Sequence, residues 1–378
     1  MTAVSLVPHR LSWLQDRQAE MLERLRGWVE QETPTAEPAR VRALAQAVAG
    51  EFDRDSCRAR LHECALEMDF DGGAGQPTLL LGHLDTVYPV GTLATSPWRQ
   101  QGERVYAPGV YDMKAGVVMA LYALRALAAA GTQPGRPVKL LFVFDEETGS
   151  RGSRTLTESV AQECGRVLVL EPGADADGKL KIARKGIAVY RMQAHGVAAH
   201  AGVDFEQGAS AITELARQLT EIAGWVNLDR GLTINPGILS GGSGVNVVAA
   251  EAEVRLEARD WAAADQQAFD ARLRGLAPRD ARVRLEISGG INRPPMEPTP
   301  ASLELAAQAQ ALAAEMGMTL ATARTGGGSD GNFTAALGAP TLDGLGAVGG
   351  GAHSTGEHIL ASALASRTAL LAGLLALP

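Results

Sequence analysis

The chain has 378 residues, 46% hydrophobic and 21% charged, with a formal net charge of -8 at pH 7. That length buries a large core and ordinarily divides into two or three domains. The composition excludes a disordered or fibrous protein, the acidic balance argues against nucleic acid as a partner, and no apolar run approaches the roughly 18 residues of a membrane span.

The first residues, with Pro8, His9 and Arg10, carry no secretory pattern. Cys57, Cys64 and Cys164 lack ligand-like spacing, so they are read as reduced thiols and the expected compartment is the cytoplasm. Leu14, Met21, Leu25, Trp28 and Val29 recur at helical spacing and predict one helix over 11–30. It ends at Thr33-Pro34-Thr35, because the residue before a proline resists helical geometry. A second helix is predicted over 39–48. Residues 77–83, with Leu79-Leu80-Leu81, read as a buried strand. An Ala/Leu/Val/Met helix follows over 114–130, stopped by Gly131, and further apolar strands over 138–144 and 166–170 each run into acidic residues. The alternation predicts an α/β domain whose central sheet is mostly parallel and flanked by helices.

From Gly186 the texture changes. A strand over 187–194, a helix over 208–222 and strands over 249–259 and 282–287 predict a small α+β sandwich of order β-α-β-β. After Pro294-Pro295, helices over 300–317 and 362–377 flank glycine-rich loops. The expected organisation is a main domain built from 1–185 and 294–378, interrupted by an inserted domain over 186–293.

Ligands of such sheets gather at the carboxyl ends of the strands. The first buried run ends in His83-Leu84-Asp85, and residues two apart on a strand share a face. A metal-bound imidazole commonly passes its other N–H to a carboxylate. The 138–144 run ends in Asp145-Glu146-Glu147. Neighbouring carboxylates leave a strand toward different sides, so one can bind metal while the next serves a bound water as general base. The 166–170 run ends in Glu171-Pro172. Between them, Gly109-Val110-Tyr111-Asp112-Met113-Lys114-Ala115-Gly116 is a glycine-flanked turn opening a helix, and the two oxygens of Asp112 can bridge two cations. Gly349-Gly350-Gly351-Ala352-His353-Ser354 sets one of only seven histidines in a glycine loop. Each motif alone also reads as an ordinary loop or surface residue. Jointly, His83, His353, Glu147, Glu171 and a bridging Asp112 make a donor set for two Zn²⁺ ions, with Co²⁺ or Mn²⁺ also suited. Two such ions about 3.5–4 Å apart activate a shared water.

These segments, with His353-Ser354-Thr355-Gly356-Glu357, resemble the zinc metallopeptidase family that holds glutamate carboxypeptidase, aminoacylase, acetylornithine deacetylase and succinyl-diaminopimelate desuccinylase. They run in the family's order over nearly the whole chain. The resemblance implies that His83, Asp112 and Glu171 hold one zinc, that Asp112, Glu147 and His353 hold the other, that Asp85 orients His83, and that Glu146 is the base. Arg324-Thr325-Gly326-Gly327-Gly328-Ser329-Asp330 is most similar to the bacterial glutamate carboxypeptidases of that family; its glycines admit close backbone approach and Arg324 offers a two-pronged donor to a carboxylate. In the inserted domain His200, Asn246 and Arg259 match positions that contact substrate, and the family's histidine there reaches a partner subunit. The resemblance thus implies a homodimer joined through an inserted lid and dimerisation domain. Ala115 replaces a glycine frequent after Asp-Met-Lys, and Ala249 replaces a frequent proline. The expected activity is hydrolysis of a small peptide or N-acyl amino acid beside a carboxylate, as a glutamate-releasing carboxypeptidase, with an N-acyl or N-acetyl amino acid deacylase or a dipeptidase as the alternative. A mere binding protein would have no use for Glu146.

Overall fold

The strand Thr78–His83 is buried at every residue. Leu80 faces one apolar layer, and Leu79 and Leu81 face another. A strand covered on both sides reads as a continuous apolar run, which is why no alternation marks it. The structure is a computed structural model describing residues 7–53 and 57–378. Its chain separates into two units: Met1–Ala183 with Pro298–Thr325 and Ser329–Pro378, and Arg184–Glu297 with Gly326–Gly328.

In the first unit a six-stranded sheet has the order Arg58–Leu61, Ala65–Phe70, Val138–Val143, Thr78–His83, Arg166–Val169, Thr341–Leu342. The last three pairings are parallel and the first two antiparallel. The α/β fold with a mostly parallel central sheet is therefore present. One face packs on Ala115–Ala129, buried along nearly its whole length, and on Ala361–Ala376. The other face packs on Arg154–Gln162.

The helix expected over 11–30 is two helices, Val7–Gln15 and Gln18–Val29. No glycine or proline marks the break. The Arg17 guanidinium turns back there, donating to the Trp13 carbonyl at 3.1 Å and lying 3.9 Å from the centre of the Trp13 ring. The first helix packs on Ala361–Ala376 and the second beside the 110–114 turn.

The second unit is an antiparallel sheet of order Thr233–Gly241, Glu251–Asp260, Gly186–His195, Arg284–Arg293, with the helices Ala211–Ala223 and Ala263–Arg274 against it. The expected β-α-β-β order is corrected to β-α-β-β-α-β, with Thr233–Gly241 as the missed strand. Pro236 and Gly237 make that strand read as a loop, but it lies at the sheet edge with a bulge between Pro236 and Ile238, where proline costs no ladder bond. The missed helix Ala263–Arg274 buries only Gln266, Phe269 and Leu273, too sparse a stripe to show as periodicity. Among the described residues, no helix is long and apolar enough to cross a membrane.

Candidate metal centre

Three strand ends and two loops of the first unit deliver their acids and histidines to one spot. His83 is the last residue of Thr78–His83 and is 1% exposed. Its Nδ1 lies 3.0 Å from the Asp85 carbonyl and 3.4 Å from the Asp85 carboxylate. A carbonyl only accepts, so Nδ1 carries the proton and Nε2 is aimed at the site. That Nε2 lies 3.1 Å from Asp112 Oδ1 and 3.6 Å from Glu171 Oε1. On the far side, His353 Nε2 lies 3.4 Å from Asp112 Oδ2 and 3.1 Å from Glu147 Oε2. Asp112 thus meets one imidazole on each of its oxygens.

Two overlapping sets have ligand atoms all within 4.8 Å of one another: His83 with Asp112 and Glu147, and His83 with Glu146 and Glu171. In the Asp112 loop Gly109 takes φ 71°, a left-handed conformation that glycine adopts without strain, and the peptide between Asp112 and Met113 is cis. Gly116 sits where a Cβ would lie 2.3 Å from the Leu170 carbonyl; only glycine lets this helix start approach the strand end that presents Glu171. Ala115 has ordinary helical dihedrals, φ -62° and ψ -38°, so its methyl group is accommodated without backbone strain.

The three consecutive acids after Val138–Val143 divide their work. Asp145 folds away, accepting from the Gly152 amide at 2.7 Å and the Ser153 hydroxyl at 2.5 Å. Glu146 and Glu147 begin a short 3-10 turn, Glu146–Thr148. Their amides donate to the two oxygens of Asp85, at 3.3 Å and 3.2 Å, and Thr35 donates its hydroxyl to Asp85 at 2.6 Å. Asp85 therefore holds the Glu146–Glu147 turn as well as His83, a contact that strand spacing does not reveal. Thr35 and Glu357 carry no sequence signal as site residues; Glu357 follows His353 by four residues, but only the fold brings it to the Asp112 amide.

The electrostatics follow from crowding. Burial pushes the His83 imidazole down, but Asp112, Asp85 and Glu171 outweigh it and hold it well above the usual histidine value. Hydrogen bonds with Asp112 and Glu147 lift His353 to about 10. Burial pushes Glu147 up, whereas in Asp112 it is overcome by the two histidines, which hold the carboxyl far below its usual range. The site gathers acids that call for cations.

The remaining candidates are divided between the two units. Arg324 is exposed on the strand Thr322–Thr325 of the first unit. His200 and Asn246 are exposed in the second unit and adjacent there: His200 bridges Val247, and the Ala201 amide donates to the Asn246 carbonyl at 2.9 Å. Arg259 donates to Glu257 at 2.6 and 3.1 Å and to the Gly326 carbonyl at 2.7 Å, so its fork is engaged within the second unit.

The sequence profile of peptidase family M20/M25/M40 matches residues 79–377, a span that includes every ligand-type side chain of the cluster. The chain belongs to this family. It is 33% identical over 313 residues to carboxypeptidase G2 of Pseudomonas sp. (strain RS-16), covering 80% of this chain and 74% of that protein. It is 28% identical to a probable carboxypeptidase of Arthroderma benhamiae over 60% of this chain, and spans only 53% of that relative's length. The fold of this M20 peptidase matches aminopeptidase PepT from Bacillus cereus with a TM-score of 0.79 at 21% identity, over 95% of this chain and 98% of the other.

Proposed function

We propose that this M20 peptidase holds two zinc ions and hydrolyses the amide bond beside a carboxylate-bearing amino acid, glutamate first among them. The observation that carries the reading is Asp112 between two histidines, 3.1 Å from His83 and 3.4 Å from His353, with Glu171 and Glu147 each beside one of those imidazoles. One carboxylate with an imidazole and a further acid on either side fits a bridging ligand between two borderline cations, Co²⁺ and Mn²⁺ included. His83, Asp112 and Glu171 would hold one ion; Asp112, Glu147 and His353 the other. Bound there, the ions would lower the pKa of a water and polarise the scissile carbonyl.

Glu146 would take the proton of the attacking water and return it to the leaving amine. Arg324 would hold the substrate carboxylate with its fork. Arg259, which also donates to Glu257 and to the Gly326 carbonyl, and Asn246 would contact the substrate beside it. His200 of a second copy would donate to the oxyanion. A homodimer is supported by the edge strand Thr233–Gly241, whose Ile238 and Leu239 are 59% and 60% exposed. A cytoplasmic peptidase acting on small peptides or N-acyl amino acids is the cellular reading. The test is a panel of N-acyl-glutamates, N-acetyl amino acids and dipeptides assayed with zinc, alongside metal content by mass spectrometry. Acyl-glutamates should be cleaved fastest, with about two ions per chain. Turnover of N-acetyl substrates alone would replace the carboxypeptidase reading with a deacylase.

A further inference from the structure

Against the backbone amide of Asp112 lies a carboxylate that the chemistry above does not use. Glu357 is 2% exposed. Its Oε1 accepts from the Tyr111 and Asp112 amides at 2.8 and 3.0 Å, and its Oε2 from the Gly109 amide at 3.1 Å and from the Tyr88 hydroxyl. Four donors fill the acceptor capacity of one carboxylate. The Tyr88 hydroxyl also lies 3.0 Å from the carbonyl of Ser354, the neighbour of His353. Tyr88 follows Asp85 by three residues, so one buried anion ties together the segment after His83, the loop bearing Asp112 and the loop bearing His353.

We infer that Glu357 is a positioning residue of the metal centre: it fixes the Asp112 amide, so that both Asp112 oxygens are presented in register to two ions. The inference rests on the dinuclear reading. Groups that orient metal ligands typically change affinity by about 10–100-fold when lost. A glutamine at 357 keeps the shape but turns an NH₂ group toward N–H donors, which sets donor against donor and frees the Asp112 loop. Because Asp112 faces both imidazoles, the loss falls on both ions together.

The experiment strips wild type, Glu357→Gln and Tyr88→Phe of metal with a chelator, checks folding by circular dichroism, and titrates Zn²⁺ against a competing indicator. Wild type should take up two ions; Glu357→Gln should bind both about 10–100-fold more weakly, with kcat recovered by excess zinc and KM unchanged. A folded Glu357→Gln that binds zinc like wild type overturns the inference. If that variant does not fold, Tyr88→Phe decides, since it removes one donor and leaves three amides in place. Its zinc affinity should fall by about three- to tenfold, and a wild-type value overturns the inference. Wild type that binds no zinc would instead sink the dinuclear reading itself.

Discussion

The Glu147 amide donates to the Asp85 carboxylate at 3.2 Å, so the residue expected only to orient His83 also anchors the turn that carries Glu146, the proposed base, and Glu147, a proposed ligand. Asp85→Asn keeps the size and loses the second charged acceptor. It should weaken zinc binding by about 10–100-fold, read by competition titration. Unchanged affinity would mean that the Thr35, Glu146 and Glu147 contacts are decorative.

Glu146 is proposed to move protons and not to hold metal. Glu146→Ala should therefore lower kcat by about 10²–10⁴-fold while the zinc content stays at the wild-type level. Loss of zinc along with activity would reassign Glu146 to the ligand shell, an outcome its proximity to His83 and Glu171 makes worth measuring.

The metal-free protein should lose stability as pH rises. His353 is raised from 6.5 to about 10. A base raised on folding stabilises fully below its unfolded value, and that stability is lost as pH rises through the folded value. Glu147, raised by burial, acts in the same direction at lower pH. The melting temperature of chelated protein should decline between about pH 6.5 and 10, and His353→Ala should flatten the decline. The imidazole is 51% exposed, so solvent screening keeps the effect small. Parallel curves for the two proteins would count against these ion pairs.

His200 is proposed to act on the partner's substrate. Glu146→Ala and His200→Ala, each nearly inactive alone, should recover activity when unfolded together and refolded as mixed dimers, because one site per mixed dimer is then intact. No recovery would put His200 in its own chain's site or outside the reaction. Leu239→Glu on the exposed edge strand should yield monomers by sedimentation, since it sets a charge on an apolar contact.

The parts of the centre that lie next to one another in sequence were the legible ones. Acids and a histidine directly after buried apolar runs, at His83, Glu147 and Glu171, announce themselves because a parallel sheet sends its strand ends to one side. The supporting contacts were not legible. Glu357 and the Gly109 amide are 248 residues apart, and no local pattern encodes a carboxylate meeting backbone amides at that distance. The fold had the same bias. Fully buried strands stood out, whereas Thr233–Gly241 hid behind its proline and the break near Arg17 behind an unbroken apolar stripe. Arg259 is placed at the substrate by the resemblance alone, and its pairing with Glu257, two residues away, shows only in the structure.

His83, Asp112, Glu147 and Glu171 precede the stretch that builds the second unit, and His353 follows it. A ribosome that has reached residue 300 has therefore made four of the five proposed ligands and all of the second unit except Gly326–Gly328, yet not the fifth ligand. Chains finish one unit as synthesis proceeds, but here the earlier-begun unit is completed last. Of the two proposed ion positions, the one that needs His353 is thereby completed only after nearly all of the second unit has been made.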